Sequence, residues 1–251
     1  MGLQTKYARK LLETDCLREV LTAGYDYQHQ WAAPQEDWIA WARANMPARF
    51  MDFGDYTRNN HALFVFNELT YGCWVNTLGL RGHWDDTAEK WEAIPSAGLL
   101  CHVTDSTTAR AKAAKGFRQP AFNELHLFPA HNEELRPEKV WSYELGLNQQ
   151  FAQCLSAFVN PFYMDVGNLI QQEANAAPPP NFINRNSGQF YIRGLETGVE
   201  LRPSDKLEFG LVYTLTDVED GPEYNPHLNR EGKPEHVFNA VAQWRIGKLT
   251  L

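Results

Sequence analysis

No run in the 251-residue chain approaches the roughly 18 consecutive apolar residues that a membrane-crossing helix needs, and mean hydropathy is −0.48. Helical membrane proteins are thereby excluded. Strands escape the test, because a spanning strand alternates apolar and polar residues and averages out polar. A cationic surplus is missing too: 23 Lys and Arg stand against 31 Asp and Glu, a formal net charge of −8. Sequence-independent grip on DNA or RNA runs on neutralising phosphates with cations, so no nucleic-acid partner is expected. GxSxG, HExxH, Gly-rich phosphate loops and heptad runs are all absent. The four cysteines, Cys16, Cys73, Cys101 and Cys154, form no CxxC pair and offer no zinc signature. They are expected to be isolated thiols in a packed or membrane-facing surface. Residues 1–16 show neither the apolar core nor the cleavage site of a secretory signal.

What the chain does have is alternation. Trp141, Tyr143, Leu145 and Leu147 oppose Ser142, Glu144 and Gly146, and Leu195, Val199 and Leu201 oppose Glu196, Gly198 and Glu200. Leu207, Phe209, Leu211, Tyr213 and Leu215 oppose Glu208, Gly210 and Thr214. A helix would scatter such residues round its circumference, whereas a strand sorts them onto two faces. Glycines on the polar face also disfavour helix, at about 1 kcal/mol each.

Tight turns are expected at Tyr71-Gly72, Val103–Thr107, Asn148–Gln153, Arg202–Asp205 and Ile246–Lys248. Long connections, roughly 29–57, 85–95, 117–137, 172–187 and 218–235, alternate with them. Such loops are uncommon in compact domains, but an outer-membrane barrel has short turns on one rim and long loops on the other. Residues 58–70 and 154–171 are long enough to cross hydrocarbon as strands, which takes about 9–11 residues. Aromatics at 13% collect near strand ends (Tyr25, Tyr27, Trp74, Trp84, Trp141, Phe162, Tyr163 and Trp244), as interfacial girdles require. The competing architecture is a soluble β-rich binding module. Catalysis is not expected: paired carboxylates such as Asp85/Asp86 and Glu133/Glu134 are neighbours that a strand points to opposite faces.

Lys115–Leu125 contains Gly116-Phe117-Arg118-Gln119-Pro120 and Glu124-Leu125, followed by Asn132-Glu133-Glu134-Leu135-Arg136-Pro137-Glu138 and the strand from Trp141. This stretch resembles the hallmark segment of TonB-dependent outer-membrane receptors. Tyr191–Glu196 resembles a strand opening of that family, Lys233–His236 its Pro-x-His element, and Asn60–Glu68 with Leu78–Asp85 an upstream strand pair. The resemblance implies an all-β fold, an antiparallel transmembrane β-barrel of which residues 1–251 are a part, about twelve strands of the ~22 in transporters of this type. Plug domain and signal peptide are not recognisable in it.

The same resemblance implies a place in the Gram-negative outer membrane, among its lipids. It implies uptake of a metal chelate, such as a ferric siderophore, haem or cobalamin, driven in the full-length protein by the TonB energy-coupling system. No resident metal or cofactor is expected. Trp38 and Trp41, with Trp31, Arg43 and Arg49, offer rigid faces and charge for a planar or anionic ligand. Haem-transporting members carry Phe-Arg-Ala-Pro and Asn-Pro-Asn-Leu boxes around a histidine. Here Phe117-Arg-Gln-Pro120 and Asn132-Glu-Glu-Leu135 enclose His126 and His131, with Gln119 in place of Ala. Arg118, His126, His131, Trp38 and Trp41 are the candidate ligand-binding residues. For Arg118 a second reading stands beside this one, in which it pairs with Glu124 or Glu138 and holds the strand exit.

Overall fold

The computed structural model describes residues 1–33, 39–40, 44, 54–86, 90–127, 130–174, 182–221, 234–246 and 249–250. They form β1 (Gly2–Glu13), β2 (Leu17–Ala32), β3 (Tyr56–Tyr71), β4 (Trp74–Asp85), β5 (Lys90–Thr104) and β6 (Thr107–Arg118). A π-helical turn, Asn123–Leu127, interrupts before β7 (Glu138–Ala152) and β8 (Leu155–Ala174). Then come β9 (Phe182–Ser204), β10 (Leu207–Asp220), β11 (His236–Ile246) and the two-residue β12 (Leu249–Thr250). All twelve lie in one sheet in chain order, with β1 and β12 at its edges, and the paired neighbours are antiparallel.

Register carries the alternation across the sheet. Leu211 faces Val199 and Leu215 faces Leu195, while Gly210 faces Glu200 and Thr214 faces Glu196. The apolar set is the outward one: Leu63, Leu78, Leu80, Tyr143, Leu145, Leu147, Phe209 and Leu211 are all exposed. An apolar face of this extent requires a hydrocarbon solvent. Tyr25, Tyr27, His61 and Trp84 cluster as an aromatic patch near one rim, with the Tyr25 hydroxyl 2.7 Å from His61 Nδ1. Trp74 and Trp244 stand exposed near the other.

On the inner face the polar-side glycines have a second use. A Cβ at Gly198 would lie 2.5 Å from the Phe158 ring, and one at Gly194 would strike both the Phe162 ring and the Leu215 carbonyl. Phe162 therefore packs inward over Gly194, its register partner, and is not part of the outer aromatic girdle.

Short turns close one end of the sheet, at residues 14–16, 72–73, 105–106, 153–154 and 205–206. Gly72 takes a φ of 55° there, which a glycine adopts without strain. The opposite end carries connections 33–55, 86–89, 119–137, 175–181 and 221–235. Two expected loops are thus largely strand. The 85–95 loop shrinks to 86–89, because Trp84 pairs with Trp91 and His83 with Glu92. The 172–187 loop shrinks to 175–181, because β8 and β9 pair out to Ala174 and Phe182. Strands that project beyond the membrane meet water on both faces and lose the alternation that marks them. The cysteines differ from expectation as well. Cys73 and Cys101 are not isolated, for their Sγ atoms are 3.3 Å apart.

The sheet curls strongly. Within one π-turn, His126 stacks on Tyr56 of β3 while the Glu124 carbonyl accepts a hydrogen bond from Asn184 of β9. In a flat sheet those strands, six places apart, would be separated by about 29 Å. Connection 119–137 lies across the mouth of this trough.

Candidate functional site

β6 delivers Arg118 to the rim and the chain turns back at Gln119-Pro120. The Arg118 guanidinium grips two carboxylates at once. Its Nε and Nη2 donate to Glu138 at 2.6 and 2.7 Å, a bidentate pair. Its Nη1 and Nη2 donate to Glu124 at 2.9 and 3.2 Å. Glu124 also accepts the Ala121 N–H at 2.7 Å, and Glu138 accepts the Ile170 N–H at 2.9 Å. One side chain therefore ties the exit of β6, the π-turn, the start of β7 and, through Glu138, β8. Both carboxylates of the second reading are engaged, and a ligand's anionic group would compete with them for the fork.

Arg118→Ala is expected to weaken docking of the loop by about 1–3 kcal/mol, toward the lower end because the guanidinium is 45% exposed. Arg118→Lys keeps the charge without the fork and should recover only part of the loss. Hydrogen exchange at the Leu125 and Asn132 amides reads the effect; unchanged protection in Arg118→Ala would remove the clamp.

Beneath the loop lies a buried polar cluster on β3 and β4. Arg58, Asn60, His83 and Asp85 are 3–9% exposed. Arg58 Nη2 donates to the Pro120 carbonyl at 2.9 Å, its Nε is 3.7 Å from Asp85 Oδ2, and the Phe122 ring lies 5.0 Å from its Cζ. Gln119 Nε2 donates to Asn60 Oδ1 at 2.9 Å and Asp85 Oδ2 at 2.7 Å, with His83 Nε2 at 3.1 Å. The departure from the Ala of the haem-transporter box thus has a local cause: Gln119 supplies donors to a carboxylate and an amide oxygen that an alanine would leave without them.

On the other flank the loop is sewn to β9. The Asn184 N–H donates to the Ala130 carbonyl at 2.7 Å, Asn132 Nδ2 donates to the Asn184 carbonyl, and Arg136 N–H donates to Asn186 Oδ1. Leu125, Ala130 and Leu135 are buried within the loop. Asn184 and Asn186 were not singled out from sequence; two asparagines at period two, on one face of a strand start, are the signal that was there.

His126 stacks face to face on Tyr56, with ring centroids 4.2 Å apart and planes within 2°. Its Nδ1 is 3.2 Å from Glu133 Oε1. A carboxylate on Nδ1 fixes the tautomer with hydrogen on that nitrogen and leaves Nε2 as the basic one, the arrangement that supports a metal-ligating imidazole. His131 is half-buried between Ala130 and Asn132 and has contacts of its own. Trp38 and Trp41, with Arg43 and Arg49, lie outside the described residues. Among the described residues no group of three or more His, Cys, Asp and Glu could hold a metal ion.

The family model for the TonB dependent receptor-like beta-barrel matches residues 4–250. The vitamin B12 transporter BtuB of Photobacterium profundum is 22% identical over 216 residues, 83% of this chain and 34% of that protein. The siderophore receptor PirA from Pseudomonas aeruginosa has the same fold with a TM-score of 0.72 at 17% identity, covering 98% of this chain and 43% of its own. An enterobactin-bound mutant of the ferric enterobactin receptor PfeA from Pseudomonas aeruginosa gives 0.74 at 17% identity, covering 97% and 39%. The chain thus spans between about a third and two-fifths of the length of these relatives. It belongs to the TonB-dependent receptor-like β-barrel family of the Gram-negative outer membrane.

Proposed function

We propose that residues 1–251 are part of the barrel wall of a TonB-dependent transporter, and that the protein takes up a metal chelate such as a ferric siderophore, haem or cobalamin. The work is binding and passage rather than catalysis, and the plug and TonB-contacting segment of such a transporter lie outside this stretch. The observation that carries the reading is connection 119–137. It is folded across the mouth of the trough, anchored on β3 by Arg58 and on β9 by Asn184, and it presents His126 on a fixed ring. A compact loop at that position lines the route of any ligand entering the lumen. A soluble β-rich module would not expose Leu78, Leu145 and Leu211 on one continuous outer face.

In this reading the chelate meets rigid aromatic and polar groups at the rim. His126 Nε2 is the candidate axial ligand should the cargo be haem, with His131 beside it in sequence; Arg118 acts by positioning the loop. Uptake of labelled ferric siderophore, haem and cobalamin by cells producing the intact protein, with and without a working TonB system, tests the function. Transport of one chelate that stops without TonB is the expected result, and absence of uptake of all three sinks the proposal. Adding hemin to the purified protein decides the cargo: a Soret shift lost in His126→Ala identifies haem. No shift, or one that persists in the His126→Ala/His131→Ala variant, excludes these ligands.

A further inference from the structure

The short-turn rim brings together two thiols separated by most of β4 and β5. Cys73 closes the β3–β4 turn, and Cys101, near the end of β5, is the register partner of Trp74, one position along from Cys73. The Cys73 carbonyl accepts the His102 N–H at 2.9 Å, which locks the two backbones side by side. The sulfurs are 3.3 Å apart; Cys101 is 7% exposed and Cys73 is exposed. We propose that Cys73 and Cys101 are joined by a disulfide in the mature protein.

A disulfide needs its sulfurs at about 2.05 Å, so they must close by roughly 1.3 Å. Cys73 sits in a two-residue turn, where side-chain and backbone adjustment disturbs no ladder hydrogen bond beyond its own. The compartment follows from the outer-membrane reading, on which the proposal rests: short turns face the periplasm, and the periplasm favours disulfides. The oxidant is a periplasmic dithiol oxidoreductase in its disulfide form. The exposed Cys73 thiolate attacks one sulfur of that disulfide and expels the other as a thiolate, giving a mixed disulfide. The Cys101 thiolate then attacks Cys73 Sγ and expels the oxidoreductase. Two S–H bonds and one S–S bond are consumed; one S–S bond and two thiols are formed. The product staples the β3–β4 turn to β5 on the rim that takes no part in ligand entry.

Cys16 supplies the internal control, since its carbonyl accepts the Gly72 N–H at 3.2 Å from the neighbouring turn. Trypsin separates the three, with Cys73 in Asn59–Arg81, Cys101 in Trp91–Arg110 and Cys16 in Leu11–Arg18. Outer membranes from cells producing the intact protein are treated with iodoacetamide before denaturation, then digested and examined by mass spectrometry without reduction. The expected result is a linked pair of the first two peptides that reduction separates, and that is replaced by the alkylated peptides in a host lacking the oxidoreductase. Carbamidomethyl groups on both Cys73 and Cys101, or a link from either to Cys16, overturn the proposal. If the protein is missing from the outer-membrane fraction, the membrane reading fails; if it is there with both thiols alkylated, only the disulfide fails.

Discussion

Asp85→Ala is expected to release connection 119–137 from the inner face of the sheet. With the loop docked, Arg58 is 3% exposed, and removing Asp85 would take away the stronger of the two carboxylates that offset its buried charge, Asp86 being the other. Breaking one side of a buried pair costs about 3–5 kcal/mol. Gln119 Nε2 would also lose its acceptor at 2.7 Å. The sheet has a way out that a closed core lacks. If the loop lifts, water in the trough solvates Arg58, and the cost becomes loss of the loop's own burial at Leu125 and Leu135 rather than global unfolding. The measurement is therefore local. Protection of the Leu125 and Asn132 amides, and of the Asn184 amide that bonds the Ala130 carbonyl, should fall by about two to three orders of magnitude, at roughly 1.4 kcal/mol per tenfold, while amides of the β9–β10 ladder keep theirs. Asp85→Asn preserves an acceptor for Gln119 and should lose less. Unchanged protection in Asp85→Ala would show that the Arg58 cluster does not hold the loop.

Gly194→Val tests the wall itself. The new Cβ meets the Phe162 ring and the Leu215 carbonyl. The ring can rotate away; a ladder carbonyl between β9 and β10 cannot do so without opening the register that pairs Leu195 with Leu215. Overpacking of this kind costs about 1–3 kcal/mol, and the immobile carbonyl places the expectation at the upper end. A guanidinium midpoint in detergent micelles reads the loss. Phe162→Ala in the same chain should restore part of it, giving a coupling of about 0.5–3 kcal/mol between contacting sites. Equal midpoints for Gly194→Val and the parent protein would mean that the ring is not seated over this glycine.

These two residues also show what alternation does and does not reveal. Gly194, Glu196 and Gly198 are visible in the sequence as one face of a strand opposed to Leu195, Val199 and Leu201, and the structure keeps that sorting. The phenyl rings that need those glycines come from β8, by a register in which Phe162 meets Gly194 and Phe158 meets Gly198. A period of two tells a residue its face, never its cross-strand neighbour. The strands run past the ends that alternation marks for a related reason. Around Asp85, Asp86 and Lys90 both faces are polar, so the alternation fades while the ladder continues to Asp85↔Lys90.

The sequence alone was enough for the strand class, for the sorting of each apolar stripe onto one face, for the alternation of turns and connections though not the length of those at 85–95 and 172–187, and for the family through the stretch around Arg118 and Asn132. All of these are local, fixed by side-chain period, turn chemistry and contiguous motif. Only the tertiary structure decided that Arg118 holds both Glu124 and Glu138, that Asn184 and Asn186 receive the loop, that Gln119 completes a buried cluster with Asn60 and Asp85, and that Cys73 meets Cys101. Each depends on register, on side-chain reach or on the curl of the sheet, which brings β3 and β9 to the same turn across strands that sequence spacing keeps apart. Curvature is a sum of many small twists over the whole sheet, and no single segment of the chain carries it.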